Sequence, residues 1–475
     1  MKDTLETQIT PVLLPELLQL LEGARDCFGQ ERVFRRALAL SFAEFFTLGR
    51  HTITQLLRTL GAVEQDWTAT YRLFSAGRFD EALAGQYLFK QTLQQVPETE
   101  PYLLTSDAVH IYRTGTEVAG SSWVRAPNTA PFNRGLQRGQ RFVEIAWLTP
   151  NADSYRRAVP LRWLPAVTEK AVPSEATPCK EWEAGLQGVQ WVRESLDAAG
   201  RRAQRLVVVL DGSYDTQGIW LDIPENTTLV VRCAKNRVLY HLPERPATPG
   251  PGAPRKYGER VPLPRELTHK RKHLQSLDLK IRGQVRHLKY RLVGPVLVEK
   301  APERPLFLIA VAGQTWGSKK RRHYRKPAYL LVNALRQGDA WVLPYSVEQL
   351  LEWAWQRWEC EVGHRELKST LQIGTKQCWG PRSAFAAVQW GVWLYGLCVL
   401  AAYRAWGVTQ GPRRQGKWYR HARRWSFASM WNELRAELWA VGEFSPLYMP
   451  TLDKWLKKET WLTGLGNALA DPALI

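Results

Sequence analysis

The sequence predicts an α/β protein with helical segments at both ends. Three observations carry that expectation. Residues 205–210 read Arg-Leu-Val-Val-Val-Leu, a strand buried on both faces by its composition. An amphipathic helix over 181–199 precedes it and another apolar strand, 228–233, follows, an order that points to a layered α/β sheet. Residues 1–98 instead repeat apolar positions at three and four, as helices do.

The elements follow in order. Helices are expected over 32–47, 52–60 and 64–75, with turns at Gly49 and Gly61, and Arg50, His51, Arg58 and Arg72 around them. Short helices joined by tight turns fit either a helix-turn-helix or a plain bundle. From Pro101 the texture changes. Strands are expected at 102–106, 111–113, 121–125 and 141–148, with loop signals at 150–153 and 173–178. Residues 223–325 are basic and β-leaning, with strands at 228–233, 290–299 and 306–312, a Pro/Gly loop at 247–258, and basic runs at 270–272 and 319–322. After a strand at 329–334, Ser346 and Gln349 form a capping box, and a single helix is expected from there to the stop at Gly374. A charge-free stretch, 383–403, has the length of a membrane span, but its Gln389, glycines and aromatics favour a buried core helix. The segment 411–424 carries six Arg/Lys and no acid, and helices close the chain at 427–440 and 452–462.

Composition narrows the function. The chain has 475 residues, too many for one ordinary domain, and 45% are apolar, which excludes general disorder. With 65 Lys and Arg against 45 Asp and Glu, the formal charge is +20, a field that favours a polyanion such as nucleic acid. The six cysteines form no CxxC pair, so neither a zinc site nor a disulfide framework is expected, and a reducing cytoplasm fits. The N-terminus has no apolar signal core.

Two strands deliver an acid at their C-terminal ends, Asp107 and Asp211. On the helix after Ser346, Arg357, Glu361, His364, Arg365 and Lys368 recur at three or four and share a face, so one carboxylate is framed by cations. Such a face is also an ordinary salt-bridged surface, but Gly363 inside the helix, which costs about 1 kcal/mol relative to Ala, suggests a close approach to the backbone. Three carboxylates brought together repel one another unless they hold hard divalent cations, Mg²⁺ or Mn²⁺. Two such ions clamp the attacking and leaving oxygens of a phosphoryl displacement. Asp215, Glu359 and Glu366 are rival acids; the Arg/Lys frame selects Glu361, and the strand end selects Asp211.

Three residues separate Arg357 from Glu361, and six separate Glu361 from Lys368. That spacing, with SDAVHIYRTGTEVAG at 106–120 and VVVLDGSYD at 207–215, resembles bacterial insertion-sequence transposases with a DDE triad and a Tyr-Arg-Glu-Lys signature. The family's tyrosine position is Ala354 here, between Trp353 and Trp355. The resemblance implies a ribonuclease-H-like five-stranded mixed sheet flanked by helices, with a β-rich insertion. It divides the chain into a helical DNA-binding region (1–98), a catalytic core in two parts (99–222 and 326–405), the basic insertion (223–325) and a basic helical C-terminal region (406–475).

The resemblance further implies Asp107, Asp211 and Glu361 as catalytic, metal-holding acids with two Mg²⁺ or Mn²⁺ ions. Double-stranded DNA would be cut at transposon ends and joined to target DNA by a homodimer, in the cytoplasm and on the nucleoid, with no membrane partner. Arg357, His364, Arg365, Lys368 and the insertion residues Lys319, Lys320, Arg321 and Arg322 are expected to contact DNA, and Trp316 to receive a flipped base. A DNA-binding derivative without catalysis, and a nuclease that only hydrolyses, remain open as alternatives.

Overall fold

The computed structural model describes residues 11–126, 135–173, 177–244, 253–269, 273–318, 321–412 and 424–440. The basic run at 270–272, Lys319, Lys320, most of 411–424 and the helix expected at 452–462 lie outside them.

Five helices come first: α1 (Leu13–Gly23), α2 (Glu31–Phe46), α3 (Ile53–Thr59), α4 (Thr68–Ser75) and α5 (Glu81–Leu93). Then follow β1 (Tyr102–Tyr112), β2 (Ser121–Arg125), β3 (Leu136–Leu148), β4 (Ala158–Pro165), α6 (Glu181–Ala198), β5 (Leu206–Leu210), α7 (Gln217–Leu221) and β6 (Thr227–Arg232). The next stretch holds β7 (Leu239–His241), α8 (Pro264–His269), β8 (Gln275–Ile281), β9 (Gln284–Val298), β10 (Ala301–Val311), β11 (Gln314–Ser318) and β12 (Arg321–Arg325). The chain continues with β13 (Ala328–Asn333), β14 (Leu335–Gln337), β15 (Ala340–Val342), α9 (Val347–Gln356), α10 (Trp358–Ser369), α11 (Ser383–Trp406) and α12 (Phe427–Ala440).

The central path is β4-β3-β1-β5-β6. Its first three strands are antiparallel, and β5 and β6 run parallel to β1. This mixed sheet flanked by helices is a ribonuclease-H-like arrangement. It does not stop at five strands. β6 pairs with β13, and the order continues through β10, β9 and β7, so the sheet has 11 strands among the described residues. The boundary expected at 222/223 is therefore no break in the sheet: β6 lies beyond it in sequence yet pairs with β5.

Strand β5 shows why both faces are covered. Leu206, Val208 and Leu210 enter one core, and Val207 and Val209 enter the other. The alternation that is invisible in an all-apolar run becomes two packed layers. Helix α11 covers the first face, packed on β4, α1, α4 and α5. It is long and apolar enough to cross a membrane, but 94% of its most apolar window is buried inside the protein, which makes it a core helix. Helix α9 covers the second face beside β5 and β8.

Three expectations need correction. The strands expected at 102–106 and 111–113 are one continuous β1, so Asp107 sits within the strand and not at its end. The single helix expected up to Gly374 is two: Arg357 separates α9 from α10, where the Cys360 N–H closes onto the Arg357 carbonyl at 3.0 Å, three residues back instead of four. Helix α10 ends at Ser369, and Gln372 turns the chain with a left-handed φ of 45°. Strand β4, over a stretch for which no element was expected, pairs among the described residues only with β3, and an edge strand tolerates its Pro160 and Pro165.

The first and last described helices meet. The Glu437 carboxylate of α12 accepts the backbone N–H groups of Val12, Leu13 and Leu14 at 2.9, 3.0 and 2.6 Å, capping α1 with a distant side chain.

Candidate active site

The parallel ladder of β1 and β5 ends with Ser106 opposite Leu210, so the next residues, Asp107 and Asp211, emerge side by side. Helix α10 packs on β1 and brings Glu361 to the same place. The guanidinium of Arg357 joins them, with Nη1 at 2.5 Å from Asp107 Oδ2 and Nη2 at 2.6 Å from Glu361 Oε1. Asp211 stands more open, with Arg232 Nη1 at 3.9 Å.

Electrostatics show the same convergence. Burial pushes the Asp107 carboxyl above its ordinary value; Arg357 and His364 oppose this, and the charges of Asp211 and Glu361 add to it. Burial would lower the Arg357 guanidinium, but the carboxylates of Asp107, Asp211 and Glu361 outweigh it and raise it. Asp107 and Glu361 hold Arg357 directly, and the charges of Asp211 and Cys360 act on it without a direct contact.

The rival acids are committed elsewhere. Asp215 is buried against Arg237 at 3.0 Å and accepts from the Trp220 indole N–H at 3.0 Å. Glu359 is held by Arg282 at 2.5 Å and lies 3.7 Å from Arg157. Glu366 accepts from the Tyr395 hydroxyl at 2.7 Å.

The cations expected to meet DNA divide into two groups. Arg365 and Lys368 are exposed on α10, with the Lys368 ammonium 6.0 Å from the Tyr112 ring centre. His364 points inward: only 8% exposed, its Nε2 lies 2.7 Å from Glu144 Oε2 and its ring meets Trp163 edge-on. It is a buried partner of Glu144 and not a phosphate-facing residue, which corrects the expectation. Helical spacing put it on the Glu361 face, but β3 packs closely enough to claim it. Arg321 and Arg322 are exposed on the β11–β12 hairpin, and Trp316 is 44% exposed, stacked on His323 with ring centres 5.8 Å apart. Lys319 and Lys320 lie outside the described residues.

Neither tryptophan beside Ala354 takes the place of a tyrosine there. Trp353 is buried edge-on against Tyr345, and Trp355 lies under the Arg325 guanidinium at 5.9 Å. The crowding expected at Gly363 is absent: a Cβ there would meet the Tyr395 hydroxyl at 3.5 Å, an ordinary contact. Sequence reasoning missed Glu144, which faces Asp107 across the β1–β3 pair, and Arg232 beside Asp211. No local signal marks either, because both reach the site only through strand pairing.

Three carboxylates and no sulfur or neutral nitrogen make a donor set suited to a hard divalent cation. Among the described residues no three His, Cys, Asp or Glu side chains stand close enough as arranged to hold a metal ion. The place between Asp107 and Glu361 is taken by the Arg357 guanidinium. A positive group is thus already accommodated there, so the site fits a cation in charge and chemistry.

The fold and these acids define the class as a ribonuclease-H-like nuclease core. Residues 25–291, more than half the chain, match the family described as DDE superfamily endonuclease, and the chain belongs to that family. The match includes Asp107 and Asp211 and ends before Glu361. A comparison with curated proteins gives no match. Membership of this family implies a nucleic-acid-cleaving enzyme with DNA as its substrate, and DDE nucleases generally use divalent metal.

Proposed function

We propose that this chain is a DNA transposase that cuts at transposon ends and joins the freed 3′ end to target DNA. The observation that carries the reading is that Arg357 bridges Asp107 of β1 and Glu361 of α10 while the β1–β5 ladder sets Asp211 beside Asp107, three acids from elements far apart in sequence. The Arg-Glu-Lys spacing on α10 and the charge of +20 support the same reading.

In this reading Asp107, Asp211 and Glu361 hold two Mg²⁺ or Mn²⁺ ions. When bound, such ions acidify the attacking water or 3′-hydroxyl and stabilise the leaving oxyanion. The protein's own residues do the rest. β1 and β5 fix two carboxylates on rigid strands, and Glu144 with His364 packs behind Asp107. Arg365 and Lys368 on α10, and Arg321, Arg322 and Trp316 on the insertion hairpin, offer cations and an aromatic face to the phosphates and bases. A homodimer would let two ends be cut together.

The test is divalent-metal-dependent cleavage of DNA carrying the element's ends. Asp211→Asn, at a half-open position, should abolish cleavage while thermal unfolding stays within a degree or two of wild type. Cleavage that continues in that variant removes the assignment. Strand-transfer products with a supercoiled target separate a transposase from a nuclease that only hydrolyses.

A further inference from the structure

The signature cations do not share one role. Lys368 lies out by Tyr112, whereas Arg357 is only 15% exposed in its side chain and bridges two of the three acids. Its two terminal nitrogens occupy Asp107 Oδ2 and Glu361 Oε1 at 2.5 and 2.6 Å. The other Asp107 oxygen, Oδ1, accepts the Ala108 backbone N–H at 2.9 Å, so Oδ2 is the one it has to offer a metal shared with Glu361. A guanidinium seated between the two acids and a divalent ion shared by them oppose each other, because like charges at that distance repel.

The backbone singles out the same residue. Arg357 is where α9 gives way to α10, so its side chain is carried at a junction and not within a continuous helical turn. On its C-terminal side, Glu359 is anchored in the opposite direction by Arg282, which fixes α10 while Arg357 reaches to Asp107.

We propose that Arg357 is an internal counter-cation that competes with divalent metal for Asp107 and Glu361, so that metal enters only as the guanidinium leaves. This rests on the reading that the three acids hold metal. It adds that the site is guarded by its own residue and that metal affinity is coupled to whatever draws Arg357 away. By linkage, an anion that pairs with Arg357 tightens metal binding, and metal frees Arg357 for that anion. A DNA phosphate has the geometry for a bidentate arginine contact.

The experiment is calorimetric titration of the full chain with Mn²⁺ alone, comparing wild type with Arg357→Gln, which keeps bulk and loses charge. Loss of two charge-assisted hydrogen bonds to the competitor should tighten Mn²⁺ binding about tenfold or more. Without metal, Arg357→Gln should melt below wild type, and Mn²⁺ should restore it. Asp211→Asn should remove the binding heat from both proteins.

Wild-type affinity in a folded Arg357→Gln protein overturns the competition and leaves the metal reading standing. Binding heat that survives Asp211→Asn, or no binding in either protein, overturns the metal reading and this inference with it. If Arg357→Gln does not fold, Arg357→Lys is decisive. The ammonium keeps the charge but loses the planar two-nitrogen fork that spans both acids, so it competes less well, Mn²⁺ affinity should rise above wild type, and an unchanged value overturns the proposal.

Discussion

Gly363 shows how a residue's meaning depends on what packs against it. It lies in the interior of α10, its φ is not left-handed, and the nearest atom to an added Cβ is Tyr395 Oη at 3.5 Å. Nothing there demands glycine. Gly363→Ala should therefore be tolerated and should stabilise the protein by up to about 1 kcal/mol through helix propensity, measured by urea unfolding. A loss of more than about 1 kcal/mol would mean that α10 must flex at this point. His364, the next residue, makes the opposite case: it counts as one more cation in a basic helix face, yet it is inserted between Trp163 and Glu144.

At the scale of elements, the junction between α2 and the segment after α10 is made by buried charge. Lys376 Nζ and Glu44 Oε1 are 2.6 Å apart with both side chains fully buried, and His51 Nδ1 is 2.5 Å from the other Glu44 oxygen. His51, one of the residues around turns that fit either a helix-turn-helix or a plain bundle, faces inward. Lys376→Met leaves Glu44 without its lysine partner and should cost about 3–5 kcal/mol in urea unfolding, whereas Glu44→Gln added to Lys376→Met should recover much of it. Burial alone would push Glu44 up, but Lys376 and His51 outweigh it and hold the carboxyl below its ordinary value. A depressed carboxyl contributes its stability above the unfolded-state value. Wild-type stability should therefore fall as pH drops below the ordinary glutamate range, and Glu44→Gln should flatten that part of the acid limb. An acid limb that is unchanged in Glu44→Gln would place the linkage in other groups.

For the whole molecule, the governing quantity is charge. A surplus of 20 positive charges on a DDE-family endonuclease predicts DNA binding dominated by counterion release. Affinity for a duplex should fall by about 10³–10⁵ between 50 and 200 mM salt if some 6–10 phosphates are contacted, as fluorescence anisotropy would record. A salt-independent affinity would contradict a phosphate-tracking surface. The fold gives that surface a frame: α11 joins the N-terminal helices to the sheet, and Glu437 ties α12 to α1, so these described helices are built onto the core.

Much of this organisation could be read from the chain. The all-apolar 206–210 run, the Ser346 cap and the Arg-Glu-Lys spacing are local patterns of two, three or four residues, set by backbone geometry wherever they occur. They placed β5 with Asp211 after it, the start of α9, and Glu361 beside Arg357; Asp107 was read from a strand end that proved to be the middle of β1. Packing decided the rest. Only the pairing of strands distant in sequence could put Glu144 behind Asp107, extend five strands to 11 and turn His364 inward. Only the approach of α10 to β1 could set Arg357 between two carboxylates. Local sequence sets which face a side chain starts from, but a partner hundreds of residues away decides what it meets, and that is a property of the folded whole.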